Sequence, residues 1–402
     1  MFRKFLVPKK KRLYLDMAAA TPVRKGVLEA MQPYFAEQFG NPSAIHAEGR
    51  QAKVAISEAR EKLARLLHIR PEGVYFTGSG TEANNTAIYG YVRHLLEEEG
   101  KSFSDLTIIS TKLEHPSVIE VLKHLEDQGV TVAWVNVDEA GKVDEKHLSE
   151  LLDEKVVLVS LAYVNSEVGV VQPVRRIARA IKKYNQEQDM NILLHADAAQ
   201  APLWLSCDMD QLGVDMMTLD AGKCFGPKGM GVLALRRGVS VKGVILGGGQ
   251  ETGVRAGTEN TALIVGGVEA FSLAQGNYEM RASETKELRD YFISELQQAI
   301  PEVVLNGPVG LDRVANNVNI SIPGLDTEYA VVVLDSKGVA ASTKSACSGA
   351  GGGESVVVKT ITGDAARATS TIRFTLGSEL SKSDIDYVVK TLKEHVTKAT
   401  SI

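Results

Sequence analysis

The chain has 402 residues, 44% of them hydrophobic and 24% charged, an ordinary globular balance with a sizeable core, and its length points to two domains. A net charge of −5 gives no basis for nucleic-acid binding, and no stretch approaches the ~20 apolar residues of a membrane span. Three widely spaced cysteines, Cys207, Cys224 and Cys347, argue against a disulfide framework or a structural zinc site and fit a reducing, cytoplasmic compartment.

The first twelve residues hold six basic ones (Arg3, Lys4, Lys9, Lys10, Lys11, Arg12). They read as a solvated lead-in to the first strand, since no apolar region or small-residue cleavage site of a secretory signal follows. Residues 51–67 place Val54, Ile56, Ala59, Leu63 and Leu66 at helical spacing. A short strand at 74–76 leads through Thr77-Gly78-Ser79-Gly80-Thr81 into a helix over 82–96. Strands at 106–110, 130–137, 156–162 and 192–194 then alternate with helices at 117–126 and 174–184. Such alternation predicts an α/β fold with a mostly parallel sheet covered by helices.

A further strand, 216–219, runs into a glycine-rich loop and out again through 231–235, with Lys223 in the loop. A lysine fixed there can bond to an aldehyde cofactor. The loop lacks the Gly-Lys-Ser/Thr ending of a phosphate loop and leads into a strand. After 261 the pattern changes to a long helix over 261–298 with a break near Gly276. Strand-like runs follow at 303–305, 315–322, 330–334 and 371–375, and a last helix at 382–396. The expected division is a large domain over 22–261 and a smaller α+β domain from 1–21 and 262–402.

Two stretches outside the lysine loop carry chemistry. Free N–H groups and the helix dipole at Gly80 and Thr81 make a phosphate site. Asp197 and Gln200, in His195-Ala196-Asp197-Ala198-Ala199-Gln200, follow a buried strand, where open α/β folds keep their ligands. An aspartate there can pair with a pyridinium nitrogen.

Together these motifs resemble the cysteine desulfurase family, in the class V aminotransferase branch of fold type I pyridoxal-phosphate enzymes. The resemblance runs from Tyr14-Leu15-Asp16 and Ala19-Ala20-Thr21-Pro22 to Ile372-Arg373-Phe374. It includes Phe39-Gly40-Asn41-Pro42-Ser43, Thr81-Glu82-Ala83-Asn84-Asn85, Glu114-His115-Pro116 and Asn165-Ser166-Glu167-Val168-Gly169. It continues through Gly226-Pro227-Lys228-Gly229, Arg255-Ala256-Gly257-Thr258 and Ser345-Ala346-Cys347-Ser348. The resemblance implies that Lys223 holds pyridoxal 5'-phosphate as a Schiff base and then acts as the base on Cα. Asp197 would pair with the ring nitrogen, Gln200 with the phenolic oxygen, and His115 would stack on the ring. Gly80 and Thr81 would hold the phosphate, with Thr258 supplied by the second subunit of a homodimer. Asn165 and Arg373 would bind the substrate carboxylate.

Cys347 is implied as the nucleophile. Small and polar neighbours, including Ser348-Gly349-Ala350-Gly351-Gly352-Gly353, offer it backbone freedom and no apolar burial, and the distance to Arg373 fits the long-loop, sulfur-donating group. Cys207 and Cys224, beside apolar sequence, read as structural. The implied activity turns L-cysteine into L-alanine and leaves a persulfide on Cys347 for iron–sulfur cluster or thio-cofactor synthesis. A sulfur-acceptor or scaffold protein would be the partner, nucleic acid would enter only indirectly through tRNA thiolation, and no metal is implied. The rival readings are a selenocysteine lyase or class V aminotransferase on the same scaffold, or a degenerate, cofactor-free binding protein. One departure stands out: Asp220 and Gly222 occupy positions where the family usually has a serine and a histidine as phosphate ligands. Repulsion predicts that Asp220 turns away from the phosphate, to cap backbone N–H groups or to pair with Lys228.

Overall fold

The computed structural model describes residues 12–343 and 353–399. Cys347, and the basic stretch before Arg12, lie outside the described residues. The chain divides into two compact units: 20–165 with 171–280, and 1–19 with 166–170 and 281–402.

Strands and helices are numbered along the chain, beginning with β1 (Leu13–Tyr14) of the smaller unit. The larger unit opens with α1 (Lys25–Met31), α2 (Pro33–Ala36) and α3 (Ala47–Leu67). Its sheet is built from β2 (Val74–Thr77), β3 (Thr107–Ser110), β4 (Thr131–Trp134), β5 (Val156–Ala162), β6 (Leu193–Asp197), β7 (Met216–Asp220) and β8 (Gly231–Leu235). Among the described residues the strand order is β2-β8-β7-β6-β5-β3-β4. The run from β7 to β4 is parallel, and β8 is antiparallel to both β7 and β2. The mostly parallel α/β architecture is therefore as expected. The helices are α4 (Gly80–Glu98), α5 (Pro116–Asp127), α6 (Glu145–Leu151), α7 (Val174–Gln188), α8 (Met209–Leu212) and α9 (Thr261–Gly276).

Local sequence explains the boundaries near the site. Ser79 caps α4, its hydroxyl accepting the Glu82 N–H at 3.1 Å, and Pro116 stands at the start of α5, where a missing N–H costs nothing. Gly231 lets β8 pass the turn before α4, because a Cβ there would lie 2.3 Å from the Ser79 carbonyl carbon. Ala83, Ala87, Ile88, Val118, Leu122 and Leu158 fill the core between α4, α5 and the sheet.

The units divide after Met280 rather than near residue 261. The reason is α9, whose mean character is apolar and which packs on α1 and α3 of the larger unit. The break near Gly276 separates α9 from α10 (Tyr278–Ala299). The smaller unit continues with β9 (Val304–Leu305), β10 (Asn317–Ser321), α11 (Thr327–Ser336), β11 (Val339–Ala340), α12 (Val356–Thr362), α13 (Ala365–Thr369), β12 (Thr371–Thr375) and α14 (Lys382–Ala399). Its antiparallel sheet runs β12-β10-β9, and β1 pairs in parallel with β11. The strand expected at 330–334 is instead the middle of α11. Its run of valines suits a strand, but Asp326 accepts the Tyr329 N–H at 3.0 Å as an N-cap, and buried Ala330 and Leu334 recur four residues apart.

The core of this unit brings Leu15, Phe292, Val318, Phe374, Ile385 and Leu392 together. Phe292 and Phe374 meet edge to face, with centroids 5.1 Å apart. Phe292→Ala should remove about 3–5 kcal/mol of stability, read as a lower urea midpoint; an unchanged midpoint would contradict this core.

Candidate active site

The carboxyl ends of the parallel strands of the larger unit collect the predicted polar residues. Asp197 ends β6 and is 8% exposed. Its Oδ2 accepts from Asn84 Nδ2 at 2.8 Å and its Oδ1 from the Ala199 N–H at 3.0 Å. Asn84 is itself buried on α4, and its amide also donates to Ser117 Oγ at 2.8 Å. Ser117 Oγ in turn lies 2.8 Å from His115 Nδ1. One polar chain thus links Asp197, Asn84, Ser117 and His115. Beneath it, His195 is enclosed between Ser160 Oγ (2.9 Å) and Thr218 Oγ1 (3.1 Å), and burial holds its pKa down at about 4. A neutral imidazole leaves Asp197 as the charge at the end of β6.

His115 caps α5 with its ring: Nδ1 accepts the Ser117 N–H at 3.1 Å. An accepting Nδ1 puts the proton of the neutral ring on Nε2. Burial lowers its pKa first; the Asp197 charge opposes this, Lys223 adds to it, and Asp220 opposes it. The charges of all three therefore reach the imidazole. Glu114, next in sequence, is 8% exposed; its Oε1 accepts from Thr111 Oγ1 at 2.6 Å, and its Oε2 has no partner among the described residues. Burial pushes its pKa up to about 8, the Thr111 hydroxyl opposes that, and the Asp197 charge adds to it.

Lys223, half-buried, closes a short turn (Ala221–Lys223) directly after β7. Thr21 holds that loop in two places, its hydroxyl donating to the Gly222 carbonyl at 3.0 Å and accepting the Phe225 N–H at 2.7 Å. Phe225 has a φ of 64°, strained for a bulky residue, and Arg24 lies over its ring. Cys207 and Cys224 are buried, as expected, and burial raises the Cys207 thiol pKa.

Asp220 does cap backbone N–H groups, but not away from the phosphate cradle. Oδ1 accepts the Gly222 N–H at 2.8 Å, and Oδ2 accepts the Gly80 N–H at 3.1 Å. Gly80 N–H is one of the donors expected to hold phosphate. A carboxylate therefore sits at the start of α4, where the helix dipole attracts anions. Thr81 and Thr258 are exposed, and Gln200 is half-buried after β6. Glu82 joins two glycine-rich loops, its Oε2 accepting the Gly78 N–H at 2.8 Å and its Oε1 pairing with Arg255 Nε at 3.1 Å. Asn165 is buried and donates from Nδ2 to the Leu113 carbonyl at 2.8 Å.

Arg373 belongs to the smaller unit, on β12. It is 2% exposed, with Nη2 on Asp16 Oδ1 at 2.8 Å and Nη1 on the Ser166 carbonyl at 3.0 Å. Its Nε has no partner among the described residues. Sequence reasoning did not single out Asn84 and Ser117 for roles. Asn84 stood within a quoted motif and Ser117 two residues after His115, but only the fold turns both toward Asp197.

This arrangement, a buried acid, a ring-capping histidine and a loop lysine at the ends of parallel strands, defines a pyridoxal-phosphate enzyme of the class V aminotransferase type. Residues 13–388 match the Aminotransferase class-V family. The chain belongs to that family and, within it, to the cysteine desulfurases. The cysteine desulfurase IscS of Dictyoglomus turgidum is 39% identical over 98% of this chain and 96% of its own. A solved structure described as a NifS-like protein superposes with a TM-score of 0.87 at 32% identity, covering 96% of this chain and all of that one. Another, described as SspA in complex with cysteine, has a TM-score of 0.76 and 32% identity over 91% of this chain and 99% of its own.

The family depends on pyridoxal 5'-phosphate, and the larger unit fits that group: a buried carboxylate suits a protonated ring nitrogen, Lys223 suits an aldehyde, and α4 offers its N-terminus. Asp220, on the Gly80 N–H, opposes it. Two unit charges 4 Å apart repel by about 4 kcal/mol at an effective dielectric near 20.

Two outcomes follow. Replacing Asp220 by Ser together with Gly222 by His should slow cofactor loss on dialysis, each restored donor adding roughly 1 kcal/mol. Gly222→His alone should not, because its Cβ would lie 3.1 Å from Asp220 Oδ1; equal loss from the double variant and wild type would contradict the Asp220 assignment. Glu114 has a folded pKa above its unfolded value, so between the two the folded state keeps a proton that the unfolded chain has lost. Stability then falls as pH rises from about 4.5 toward 8. Glu114→Gln should gain stability relative to wild type across that window in pH-dependent thermal melts; a constant difference would argue against a neutral Glu114.

Proposed function

We propose that this protein carries out cysteine desulfuration with Cys347 as the sulfur acceptor and Lys223, Asp197 and His115 as the cofactor-site residues. The observation that carries the reading is the Asp197–Asn84–Ser117–His115 chain, with the charges of Lys223 and Asp197 both felt at the His115 ring, in a chain that aligns with cysteine desulfurases over nearly its full length. Bound pyridoxal phosphate supplies an electron sink for the pair left at Cα of the substrate. Asp197, its orientation set by Asn84 and the Ala199 N–H, would pair with the ring nitrogen, and Gln200 with the phenolic oxygen. His115, with its proton on Nε2, would stack on the ring and carry a proton. Lys223 would hold the aldehyde and, once L-cysteine displaced it, would take the proton from Cα and later return it. Gly80 and Thr81 would hold the phosphate, with Thr258 supplied by a second subunit.

Asn165 and Arg373 receive the substrate carboxylate. Asp16 and the Ser166 carbonyl orient the Arg373 guanidinium, whose planar fork suits a carboxylate. The Cys347 thiolate then attacks the substrate sulfur. The sulfur–Cβ bond breaks, its electron pair stays on Cβ and takes a proton, and the products are L-alanine and a Cys347 persulfide. A sulfur-acceptor or scaffold protein in the cytoplasm would take that sulfur for iron–sulfur cluster or thio-cofactor synthesis.

Substitutions and the oligomeric state test this reading. Cys347→Ser should keep the cofactor absorbance and its change on adding L-cysteine while alanine production collapses; Lys223→Ala should lose the borohydride-fixable absorbance. Wild-type turnover in Cys347→Ser, or cofactor still covalently fixed to the chain by borohydride in Lys223→Ala, would sink the assignment. The chain should also run as a dimer at micromolar concentration, and Thr258→Ala should retain cofactor less well. A monomer that holds cofactor and turns over cysteine would overturn the shared site.

A further inference from the structure

In the larger unit, α7 carries Arg175, Arg176, Arg179, Lys182 and Lys183. Two of these cations are neutralised: Arg176 pairs with Glu145 at 2.6 Å and Lys183 with Glu187 at 3.7 Å. The other three, Arg175, Arg179 and Lys182, make no ion pair among the described residues, and all are exposed. They stand at i, i+4 and i+7, so they share one stripe of the helix. Like charges four residues apart destabilise a helix, and nothing in the described chain offsets these.

The unpaired stripe lines a cleft of about 460 Å³. Its apolar lining includes Ala178, Ile181 and Leu212, all buried. Gly213, with a φ of 77°, ends α8 tight against α7, because a Cβ there would lie 2.9 Å from Ala178 Cβ. A fourth cation, Arg236, enters from the end of β8. Its Nη2 donates to the Met209 carbonyl at 3.2 Å and to Asp210 Oδ1 at 2.7 Å. Its Nε is buried and has no partner among the described residues. Asp215, the second carboxylate of the lining, accepts the Leu194 N–H on Oδ2 at 2.8 Å. Four cations against two carboxylates leave a surplus of two positive charges (4 − 2).

We propose that this cleft is a second anion site, distinct from the candidate active site, that takes a small phosphate monoester with an apolar body. A dianion matches the surplus charge. The planar forks of Arg175 and Arg179 suit phosphate oxygens, which a guanidinium binds in pairs. The apolar floor suits the ester group, and the volume falls within the roughly 300–1,000 Å³ of small-molecule sites. The cleft meets β6 and β7 at their amino ends, through Leu193 and Asp215, whereas Asp197 and Lys223 follow the carboxyl ends. At about 3.3 Å per residue, a strand such as β6 keeps the two sites roughly 13 Å apart, so both can be filled together.

The test titrates the holoenzyme with phenyl phosphate by calorimetry at pH 8 and 0.15 M salt. A phosphate monoester is then a dianion, and charges more than about 8 Å away are screened. Phenyl phosphate should bind with a Kd on the order of 0.1 mM, and inorganic phosphate, lacking the ring, about tenfold more weakly. Arg179→Glu should weaken phenyl phosphate at least about tenfold. Lys183→Glu, the same change of charge on the paired stripe, should stay within about twofold of wild type. Arg179→Gln, which removes the charge without reversing it, should also weaken binding and serves should Arg179→Glu not fold. The cofactor absorbance should be unchanged at saturation. No binding up to 10-fold above that Kd, or equal weakening in Arg179→Glu and Lys183→Glu, would overturn the site. Displacement of the cofactor by phenyl phosphate would place the ligand in the candidate active site and overturn it too. Succinate binding as tightly as phenyl phosphate would overturn the assignment to phosphate.

Discussion

A buried carboxylate must be given donors, and Asp197 obtains them from two separate elements. Leaving such a charge without hydrogen bonds in a low-dielectric interior costs several kcal/mol. The Ala199 N–H comes from the turn after β6 and the Asn84 amide from α4. Because Asn84 spends its second amide proton on Ser117, the start of α5, and with it His115, is tied to the same charge. Three elements are thereby held in register by one oxygen pair. The neutral, enclosed His195 below keeps the site from being compensated by a second charge.

The start of α4 shows the opposite economy. A helix N-terminus with free N–H groups is a site for any anion, and this chain supplies one of its own in Asp220. The carboxylate satisfies the N–H groups of Gly80 and Gly222 without a ligand and so stabilises the lysine loop, at the expense of a donor the cofactor phosphate would use. Thr21, holding both Gly222 and Phe225, carries the remaining burden of a loop that contains a left-handed phenylalanine.

In the smaller unit the organising charges are arginines. Arg289 is 0% and Arg313 2% exposed. Arg313 donates to the carbonyls of Pro308, Val168 and Asn306 and to Asn317 Oδ1, while Arg289 serves the carbonyls of Arg313, Val314 and Gly310. A guanidinium has five donors in a rigid fork, and here most of them go to backbone carbonyls. Burial first, and then the Arg289 charge, lowers the Arg313 pKa to about 9. That fork is why five residues from the middle of the sequence belong to the C-terminal unit, and why Arg373 finds the Ser166 carbonyl in place.

Much of this molecule was legible from the residues in order. Alternation of apolar strands and amphipathic helices is a local property, so the parallel sheet and its covering helices follow from it. The glycine spacing around Lys223 and the strand before Asp197 likewise mark where a loop must leave a sheet. Local pattern misled where three valines in succession read as strand; the Asp326 cap and a four-residue spacing of buried side chains made them helix, a choice decided by what α11 packs against. An apolar helix such as α9 carries no mark of which core it will join, and its packing on α1 and α3 is a matter of tertiary structure. Tertiary structure alone decided that Asn84 and Ser117 connect Asp197 to His115, that Asp220 takes the Gly80 N–H, and that Glu167 meets Ser355. Each joins residues 33 to 188 positions apart, and hydrogen bonds across such distances are set by how the elements pack, which no local spacing encodes.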